Sequence, residues 1–451
     1  MQSDNLKTIF KAYDIRGKVG TQLTAEIANL IGKSLASWLP NEGSIAVGRD
    51  MRPDSAELAD ALIQGVRDQG RDVIDIGQVT SDMIYFAVGN MKLAGGAMIT
   101  ASHNPGEYNG IKICRDEARP IGEDSGLLDV RDKAIENNFT SAEQKGALTQ
   151  KDIDEDWIKH ALSFIDASKL KPLHIAVDAG NGMAGKIFPK IESFVPWKVE
   201  EMYFELDGTF PNHEANPLKF ETLADLIAKI KSENLDGGIA FDGDGDRAFL
   251  VDETGTIVTG NVMNGILSDY FLALFPGANI LYDLRSSHIV PETILANGGI
   301  PIRTRVGHSF IKKIMRESNA PFGGEVSGHF YFRDNFFADS GLIAAVIGLY
   351  AAGLTGKSLS QLRAKYTKYA TLDETNFKVT DKDVIIDKLK TTFSDSRQDE
   401  LDGLTVELSD GSWFNVRGSN TEPVLRLNAE ASTQAELDKL VAQVEAIINN
   451  S

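Results

Sequence analysis

The sequence predicts an α/β protein of three similar units with mixed sheets, followed by a smaller C-terminal α+β unit. With 451 residues, the chain is longer than one ordinary hydrophobic core supports. Three apolar runs, each ending in a polar or glycine-rich turn, recur at intervals of roughly a domain's length. These runs are SIAVGRDMR (44–52), HIAVDAGNG (174–182) and NILYDLRSS (279–287).

Each recurrent run is rich in Val, Ile and Leu and is followed by a stretch that can form a helix. Such uncharged runs are typical of strands that helices bury on both faces of a mixed or parallel sheet. An ordinary α/β protein also contains several such strands, so both interpretations stay open and we favour repetition. The glycine-containing runs LAGGAMI (93–99) and LDGGIAF (235–241) are predicted to be strands of the same kind.

The unit boundaries follow shifts in composition. A polar stretch at 136–156 ends the first unit, a turn-rich passage at 252–260 leads into the third, and the composition shifts again at 367–380. The last unit is predicted to end in the strand VLRLNAEA (424–431) and the amphipathic helix QAELDKLVAQVEAII (434–448). The predicted units are residues 1–150, 151–255, 256–368 and 369–451.

The net charge of −19, from 65 acidic and 46 basic residues, argues against nucleic acid and anionic membranes as partners. Cys114 is the only cysteine and the N-terminal segment has no apolar signal core, so we expect a soluble, cytoplasmic protein. The apolar stretch that begins at Gly341 covers about fourteen residues, too few to span a bilayer, and is predicted to be a buried core helix.

A serine stands in a turn of small residues, TASHNP (100–105), directly after a predicted strand. This setting brings Ser102 close to backbone N–H groups and can support a nucleophile or a phosphorylated side chain. Ser, Asn and Pro also favour turns without any catalytic role. Residue types alone therefore favour a plain capped turn at this position.

A second motif, DGDGDR, places Asp242, Asp244 and Asp246 at alternate positions separated by glycines. Carboxylates spaced in this way can direct their oxygens onto one hard cation such as Mg²⁺. The adjacent Arg247 can hold a phosphate that bridges to the metal. Glu253 completes the spacing of a calcium-binding EF-hand loop, but Arg247 occupies its glycine position and the preceding segment is predicted to be a strand, so we reject that loop.

Three other motifs contain candidate binding groups. The turn at 180–185, GNGMAG, matches a dinucleotide fingerprint but lacks a clear acidic partner, so we interpret it as structural. The loop GGEVSGH (323–329) offers a carboxylate, a hydroxyl and an imidazole suited to sugar hydroxyls, and an ordinary surface loop is an equal alternative. The segment RGSNT (417–421) is suited to the phosphate of a substrate, since no P-loop motif accompanies it.

In this order and combination, the motifs TASHNP, DGDGDR, GEVSGH and RGSNTEP resemble those of the α-D-phosphohexomutase family, specifically its bacterial phosphomannomutase/phosphoglucomutase group. The resemblance spans essentially the whole chain and is more specific for the family than for the sugar. It implies four domains around one central cleft, the last of them flexible, a phosphosugar substrate and one Mg²⁺ per chain. We expect a monomer or a weak homodimer.

Matched motif by motif, the resemblance also implies roles for individual residues. Ser102 would be the phosphoserine and, together with Asp242, Asp244 and Asp246, a metal ligand. The other catalytic candidates are Arg247, which would lie near the phosphoserine, and the acid/base candidates Lys112, His308 and His329. The substrate-binding candidates are Tyr13, Arg16, Arg285, Glu325, Ser327, His329, Arg417, Ser419, Asn420 and Thr421.

The implied reaction interconverts mannose 6-phosphate and mannose 1-phosphate, and glucose phosphates as well, through a hexose 1,6-bisphosphate that also serves as activator. Lys112 can act as a base only with a lowered pKa, which we expect from cations nearby. Phosphoglucomutase and phosphoglucosamine mutase are alternatives. Val326 stands where related mutases often carry methionine, which weakens any inference about the sugar, and where phosphoglucosamine mutases usually carry glutamine. A metal-dependent serine phosphatase, a calcium-binding module and a nicotinamide-dependent dehydrogenase are the rivals outside the family.

Overall fold

Four β-sheets, one in each unit, organise the chain. The computed structural model describes residues 2–418 and 424–449. The first three sheets mix parallel and antiparallel strands, whereas the fourth is entirely antiparallel. The structure therefore confirms the predicted fold class of three α/β units and a smaller C-terminal α+β unit.

The helices and strands of the first two units are as follows. The first unit contains α1 (Gln2–Ile9), β1 (Ile15–Lys18), α2 (Ala25–Trp38), β2 (Ile45–Arg49), α3 (Ser55–Asp68), β3 (Val73–Gln78), α4 (Ser81–Asn90), β4 (Gly95–Ile99), β5 (Tyr108–Arg115), β6 (Arg119–Pro120), α5 (Leu127–Glu136) and β7 (Leu148–Gln150). The second contains α6 (Asp154–Leu162), β8 (Leu173–Asp178), α7 (Ala184–Ile191), β9 (Trp197–Met202), α8 (Ala224–Glu233), β10 (Gly237–Phe241), β11 (Ala248–Asp252) and β12 (Ile257–Val258).

The last two units continue the chain in the same way. The third contains α9 (Gly260–Leu274), β13 (Asn279–Asp283), α10 (Ile289–Ala296), β14 (Ile300–Thr304), α11 (His308–Ser318), β15 (Phe322–Gly324), β16 (Phe330–Phe332), β17 (Ala338–Asp339), α12 (Gly341–Thr355) and α13 (Leu359–Arg363). The fourth contains β18 (Ala370–Lys378), α14 (Lys382–Thr392), β19 (Arg397–Asp399), β20 (Leu404–Glu407), β21 (Trp413–Gly418), β22 (Val424–Ala431) and α15 (Gln434–Asn449).

The three α/β units share one strand order. The neighbouring strands are β3-β2-β4-β5 in the first unit, β9-β8-β10-β11 in the second and β14-β13-β15-β16 in the third. In each set three strands are parallel and the last is antiparallel. The recurrent runs of the sequence form β2, β8 and β13, which hold the same place in each sheet. The structure thus confirms that the units repeat.

One loop occupies an equivalent position in all three units, between the last parallel strand and its antiparallel neighbour. It covers residues 100–107 after β4, 242–247 after β10 and 325–329 after β15. These loops leave the carboxyl ends of parallel strands, where α/β sheets commonly bind ligands. The serine, aspartate and sugar-loop motifs therefore stand on equivalent loops of a repeated fold.

The apolar core is shared unequally among the units. One cluster of buried side chains extends from Ala46 to Tyr366 and joins the first three units, whereas a separate cluster from Ile385 to Ile448 forms the core of the fourth. Helix α12 is mostly buried within the shared cluster, which confirms the predicted core helix. Among the described residues no single helix has the length and apolarity to cross a membrane; α12 and the segment Leu359–Tyr366 meet those criteria only jointly, at a 94° bend.

Candidate active site

Ser102 is buried in the loop after β4, with its backbone at a φ of +52°. A residue other than glycine is strained in this left-handed region and stays there only when its surroundings hold it. The Ser102 hydroxyl donates a hydrogen bond to Oδ2 of Asp242 at 3.0 Å and accepts one from Nη2 of Arg247 at 3.4 Å. The hydroxyl of the first unit therefore lies between a carboxylate and a guanidinium of the second.

Asp242, Asp244 and Asp246 form a buried cluster in the loop after β10. Each contributes a carboxylate oxygen that lies within 4.8 Å of the other two. The intervening glycines make this geometry possible, because Gly245 has a φ of +74° and a Cβ on Gly243 would lie 2.7 Å from the backbone oxygen of Ser102. The loop can therefore turn sharply and approach the serine loop closely.

The aspartate cluster can hold a metal ion. The Oδ1 atoms of Asp244 and Asp246 are buried and have no hydrogen-bond partner within residues 2–418 and 424–449. Burying a charged oxygen without a partner is costly, and a bound cation removes that cost. Hard cations such as Mg²⁺ prefer an all-oxygen ligand set of this kind. The three carboxylates and the nearby Ser102 hydroxyl thus fit a divalent cation.

Lys112 on β5 is paired with the aspartate cluster. Its Nζ lies 2.8 Å from Oδ2 of Asp244 and 2.5 Å from Oδ2 of Asp246. Burial lowers the pKa of Lys112, but these two carboxylates outweigh burial and hold the pKa well above its ordinary value. Our expectation that nearby cations lower this pKa is wrong, because the groups closest to the ammonium are carboxylates. Lys112 is a fixed cation in this structure.

Arg247 supplies a second cation, buried beside the serine. Its Nε donates to Oδ2 of Asp242 at 2.8 Å. Burial lowers the pKa of Arg247, but the neighbouring aspartates more than compensate and the net shift is upward. Burial and Arg247 itself lower the pKa of His103 well below its ordinary value, so His103 is neutral and accepts a hydrogen bond from Nη2 of Arg247 at 2.5 Å. The charge of Arg247 is therefore permanent and its orientation fixed.

The sugar-loop motif lies next to the aspartate cluster. Nε2 of His329 is 3.7 Å from Oδ1 of Asp246, and its Nδ1 lies 3.6 Å from Oε2 of Glu325 and 3.1 Å from the Ser327 hydroxyl. Glu325 is buried and accepts hydrogen bonds from the Tyr331 hydroxyl at 2.6 Å and from a backbone N–H at 3.1 Å. This loop contributes buried and hydrogen-bonded side chains to the site and is not an ordinary surface loop.

Tyr13 and Arg16 approach the site from the N-terminal segment. Nη1 of Arg16 donates to the side-chain oxygen of Asn104, in the serine loop, at 2.6 Å. The ring of Tyr13 packs edge-on against His308, with 5.5 Å between ring centroids. Burial, together with the charge of Lys312, lowers the pKa of His308 to about 3, so this imidazole is neutral near pH 7.

Arg417 and Arg285 meet at a carboxylate of β18. Nη2 of Arg417 donates to Glu374 at 2.7 Å, and Nη1 of Arg285 lies 3.4 Å from the same oxygen. A third arginine, Arg426, contacts the other oxygen of Glu374 at 3.1 Å. The remaining predicted members of the phosphate cradle lie outside the described residues; they are Ser419, Asn420 and Thr421.

A continuous series of polar and ionic contacts joins the second, third and fourth units. From the aspartate cluster it runs through His329 to Glu325, whose Oε1 lies 3.7 Å from Nη2 of Arg285, and then through Glu374 to Arg417. The structure therefore brings the predicted metal, sugar and phosphate groups to one connected surface. Their individual roles stay predictions.

The two rejected motifs have structural explanations. The Glu253 carboxylate accepts hydrogen bonds from the backbone and hydroxyl of Ser360, so it is engaged with α13 rather than with the aspartates. A strand, β10, also precedes the aspartate loop where an EF-hand requires a helix. In the GNGMAG turn, a Cβ on Gly182 would lie 2.7 Å from the Gly243 carbonyl and one on Gly185 would lie 2.3 Å from the Phe204 carbonyl. The glycines there allow close packing between segments.

Sequence reasoning missed two residues that organise the site, Arg52 and Glu374. Arg52 donates to backbone carbonyls of the serine loop, and Glu374 gathers three arginines. A signal for Arg52 was present, because an Asp-x-Arg pattern follows two of the three recurrent strands, at Asp50 and at Asp283. We find no comparable sequence signal for Glu374.

Models of one protein family match nearly the whole chain. They are "Phosphoglucomutase/phosphomannomutase, alpha/beta/alpha domain I" over residues 7–145, "domain II" over 155–255, "domain III" over 259–369 and the "C-terminal domain" over 374–447. The order of the four models follows the order of the four sheets.

Individual proteins agree with these matches. The chain is 40% identical over 432 residues to a Xanthomonas campestris pv. campestris protein named phosphohexose mutases, covering 95% of this chain and 96% of that one. It is 38% identical over 459 residues to a Vibrio cholerae phosphomannomutase, covering 97% and 99%. A crystal structure of a phosphoglucomutase/phosphomannomutase family protein from Burkholderia thailandensis superposes with a TM-score of 0.90 at 31% identity, covering 100% and 98%.

Proposed function

Since the chain belongs to the phosphoglucomutase/phosphomannomutase family and is a phosphohexomutase, we propose that it is a phosphomannomutase acting through phosphorylated Ser102. It interconverts mannose 6-phosphate and mannose 1-phosphate and also accepts the glucose phosphates. The observation that carries the proposal is the position of the Ser102 hydroxyl between Asp242 and Arg247. Relatives named phosphomannomutase support the choice of mannose.

The reaction consists of two phosphoryl transfers. In the first, the free hydroxyl oxygen of the hexose phosphate attacks the phosphorus on Ser102. A new oxygen–phosphorus bond forms while the bond to the serine Oγ breaks, and the hydroxyl proton passes to a base. The product is a hexose 1,6-bisphosphate, which turns within the site and returns its other phosphate to the serine oxygen. The enzyme is then phosphorylated again and the isomer is released.

Phosphoryl transfer depends mainly on positioning and on stabilising negative charge. Arg247 donates to the serine oxygen that carries the phosphate, and Lys112 adds a second cation at the cluster. Asp242, Asp244 and Asp246 would hold one Mg²⁺ together with the phosphoserine, and the ion would supply positive charge that stabilises the transferred group. The buried Oδ1 atoms of Asp244 and Asp246, which accept no hydrogen bond from any described residue, support this assignment.

Of the three acid/base candidates we favour His329. Its ring lies between a carboxylate of the metal cluster and a carboxylate of the sugar loop, where it can reach a hydroxyl bound between them. Lys112 is held in its charged form by two carboxylates and is a poor proton acceptor. His308 is neutral, but with a pKa of about 3 it binds a proton weakly.

The remaining candidates bind the sugar and the phosphate that is not reacting. Glu325 accepts hydrogen bonds from sugar hydroxyls, and the Ser327 hydroxyl donates to them or accepts from them. Arg285, Arg417 and the segment 419–421 bind the distal phosphate of either isomer, because the two isomers present it to the same cradle. Tyr13 and Arg16 contact the substrate near the serine loop.

The proposal also includes an activator, an oligomeric state and a cellular location. Hexose 1,6-bisphosphate acts as activator, since it phosphorylates any serine that has lost its phosphate. The substrate is a phosphosugar, and the enzyme is a monomer or a weak homodimer. We place it in the cytoplasm, consistent with a single, buried and unpaired cysteine.

The decisive experiment compares the wild type with Ser102→Ala and with Ser232→Ala, an exposed serine on α8. We expect intact-mass measurement to show a phosphate on the wild type and on Ser232→Ala but not on Ser102→Ala. Coupled assays on mannose 1-phosphate and glucose 1-phosphate, run side by side with a trace of bisphosphate, measure turnover and sugar preference. Full turnover by Ser102→Ala would refute the phosphoserine mechanism.

The same assays separate a mutase from a serine phosphatase. A mutase converts the sugar phosphate without net loss of phosphate, whereas a phosphatase releases inorganic phosphate at the rate of turnover. EDTA is expected to abolish the mutase reaction and added Mg²⁺ to restore it. Turnover that persists in EDTA would contradict the role of the aspartate cluster.

A further inference from the structure

Arg52 follows β2 and lies beneath the serine loop without touching the Ser102 hydroxyl. We propose that Arg52 is the positioning residue of this loop and that its guanidinium sets the place of Oγ for phosphoryl transfer. The inference rests on the proposed function, because it requires Ser102 to carry the transferred phosphate.

The guanidinium of Arg52 donates four hydrogen bonds to backbone carbonyls, three of them in the serine loop and the fourth at the first residue of β5. Nη1 donates to the carbonyls of Pro105 at 3.0 Å and Tyr108 at 2.9 Å. Nη2 donates to the carbonyls of Ser102 at 2.9 Å and Asn104 at 2.6 Å. One side chain therefore fixes the start and the end of the loop at the same time.

The position of Arg52 is itself fixed from two sides. Oδ1 of Asp50 accepts hydrogen bonds from the Arg52 backbone N–H at 3.0 Å and from the Ser55 hydroxyl at 2.5 Å, and Oδ2 of Asp50 lies 3.3 Å from Nε of Arg52. The ring of Phe210, from the second unit, packs 5.2 Å from the guanidinium. Because Asp50 and Arg52 are both buried, the pair is shielded from water and holds one geometry.

The backbone of Ser102 explains why such a clamp is needed. At a φ of +52° this residue is strained, and a loop free to relax would move its hydroxyl away from Asp242 and Arg247. Arg52 binds the carbonyl of Ser102 itself and that of Asn104 two residues later. The hydrogen bonds of Arg52 thus oppose relaxation on the C-terminal side of the strained residue.

The third unit contains a related turn, in which the aspartate rather than the arginine contacts the backbone of the equivalent loop. After β13, Oδ1 of Asp283 accepts the backbone N–H of Arg285 at 2.7 Å, and its Oδ2 lies 2.9 Å from Nη2 of Arg285. Oδ2 of Asp283 also accepts the backbone N–H of Val326, in the equivalent loop, at 2.9 Å. In both units a side chain of the Asp-x-Arg turn after the first parallel strand hydrogen-bonds the backbone of the equivalent loop, Arg52 in the first unit and Asp283 in the third. In the second unit Gly180 stands at the arginine position.

The test uses Arg52→Lys. Lysine keeps the positive charge, but its ammonium cannot reproduce the planar guanidinium that donates to four carbonyl oxygens. The matched control is Arg131→Lys, the same change on the surface of α5. In the full chain we measure kcat and KM, together with the rate at which hexose 1,6-bisphosphate phosphorylates Ser102, followed by intact mass. We expect Arg52→Lys to lower kcat and the phosphorylation rate about 100-fold, the effect of a misplacement near 1 Å, with KM nearly unchanged. The control should match the wild type.

A second variant, Phe210→Leu, removes the ring against Arg52 and leaves the pair with Asp50 intact. We expect Phe210→Leu to lower kcat at constant KM as well, by a smaller factor than Arg52→Lys. If Arg52→Lys does not fold, the result for Phe210→Leu tests the inference. The inference is overturned if Arg52→Lys folds and its kcat and phosphorylation rate equal those of the wild type. If Arg52→Lys does not fold, wild-type values in Phe210→Leu overturn it. If the wild type itself takes no phosphate on Ser102, the proposed function fails instead, so the two failures are distinguishable.

Discussion

At the scale of single residues, His213 links protonation to the stability of the second unit. Its Nε2 lies 3.0 Å from Oδ2 of Asp178, and its Nδ1 lies 2.8 Å from the carbonyl of Glu214. Both ring nitrogens thus face acceptors, which favours the doubly protonated imidazolium. Burial lowers the pKa of His213, but Asp178 outweighs burial and the net shift is upward.

This raised pKa predicts a defined pH dependence. A histidine whose pKa is higher in the folded state contributes its full stabilisation below the ordinary histidine pKa of about 6.5, and loses it as the pH rises through the folded value. We therefore expect the melting temperature of the wild type to exceed that of His213→Gln most at pH 5.5, and the difference to shrink by pH 9. Thermal unfolding of both proteins across this pH range measures the difference in melting temperature. A difference that is constant or grows with pH would contradict the ion pair.

Residue types in the sequence identify chemistry but not distance. Ser102 and Asp242 are 140 positions apart, and taken alone the serine was indistinguishable from a capped turn. The expectation for Lys112 was wrong for the same reason, because no feature of the sequence shows that two carboxylates lie within hydrogen-bonding distance of its ammonium. The motifs became informative only in combination.

At the scale of elements, strands and helices were largely predictable because burial determines their composition. The uncharged runs before the serine and aspartate loops form β4 and β10, whose residues are all buried. The last strand and helix of the sequence form β22 and α15. The equivalence of the three functional loops was not predicted, because it depends on strand order, which hydrophobic patterns do not encode.

The strand β18 carries the carboxylate of Glu374, whose importance is visible only in the structure. Its register against β22 shifts between Leu372 and Thr375, so Glu374 lies within an irregularity of the strand. Burial raises the pKa of Glu374, but Arg285, Arg417 and Arg426 outweigh burial and lower it, so this carboxylate is charged. Nε of Arg417 is buried without a hydrogen-bond partner in the described part of the chain. Glu374 therefore orients Arg417 without saturating it.

Removal of this charge should weaken substrate binding equally for both isomers. We expect Glu374→Gln to raise KM for mannose 1-phosphate and mannose 6-phosphate about tenfold, since a hydrogen bond to a charged group contributes about 1.5–3 kcal/mol. The control is Glu407→Gln, which breaks an exposed pair with Arg397 and should change nothing measurable. Steady-state kinetics in both directions give the result. A change confined to one isomer, or a lower KM, would show that Glu374 does not orient a shared phosphate cradle.

At the scale of the whole molecule, the units are joined in two different ways. The first three share one apolar cluster, whereas the fourth has its own. Contacts between the third and fourth units include the pair of Arg303 with Asp399 and the hydrogen bond from the backbone of His288 to Glu430. Polar junctions of this kind permit relative motion of domains. The sequence indicated a shift in composition near residue 370, but it could not show that one apolar cluster joins parts of the first three units.

The apolar core of the fourth unit shares no residue with the cluster that joins the first three units, so we expect the fourth unit to unfold in a transition of its own. Phe414 is fully buried in the core of the fourth unit, and Phe332 is fully buried in the shared core. Truncating a buried phenylalanine to alanine costs about 3–5 kcal/mol, but only in the cooperative unit that contains it. We therefore expect Phe414→Ala to lower the midpoint of one calorimetric transition and Phe332→Ala to lower the other, each leaving its partner transition nearly in place. If both substitutions shift a single common transition, the four units unfold as one, and the separate apolar core of the fourth unit does not give it independent stability.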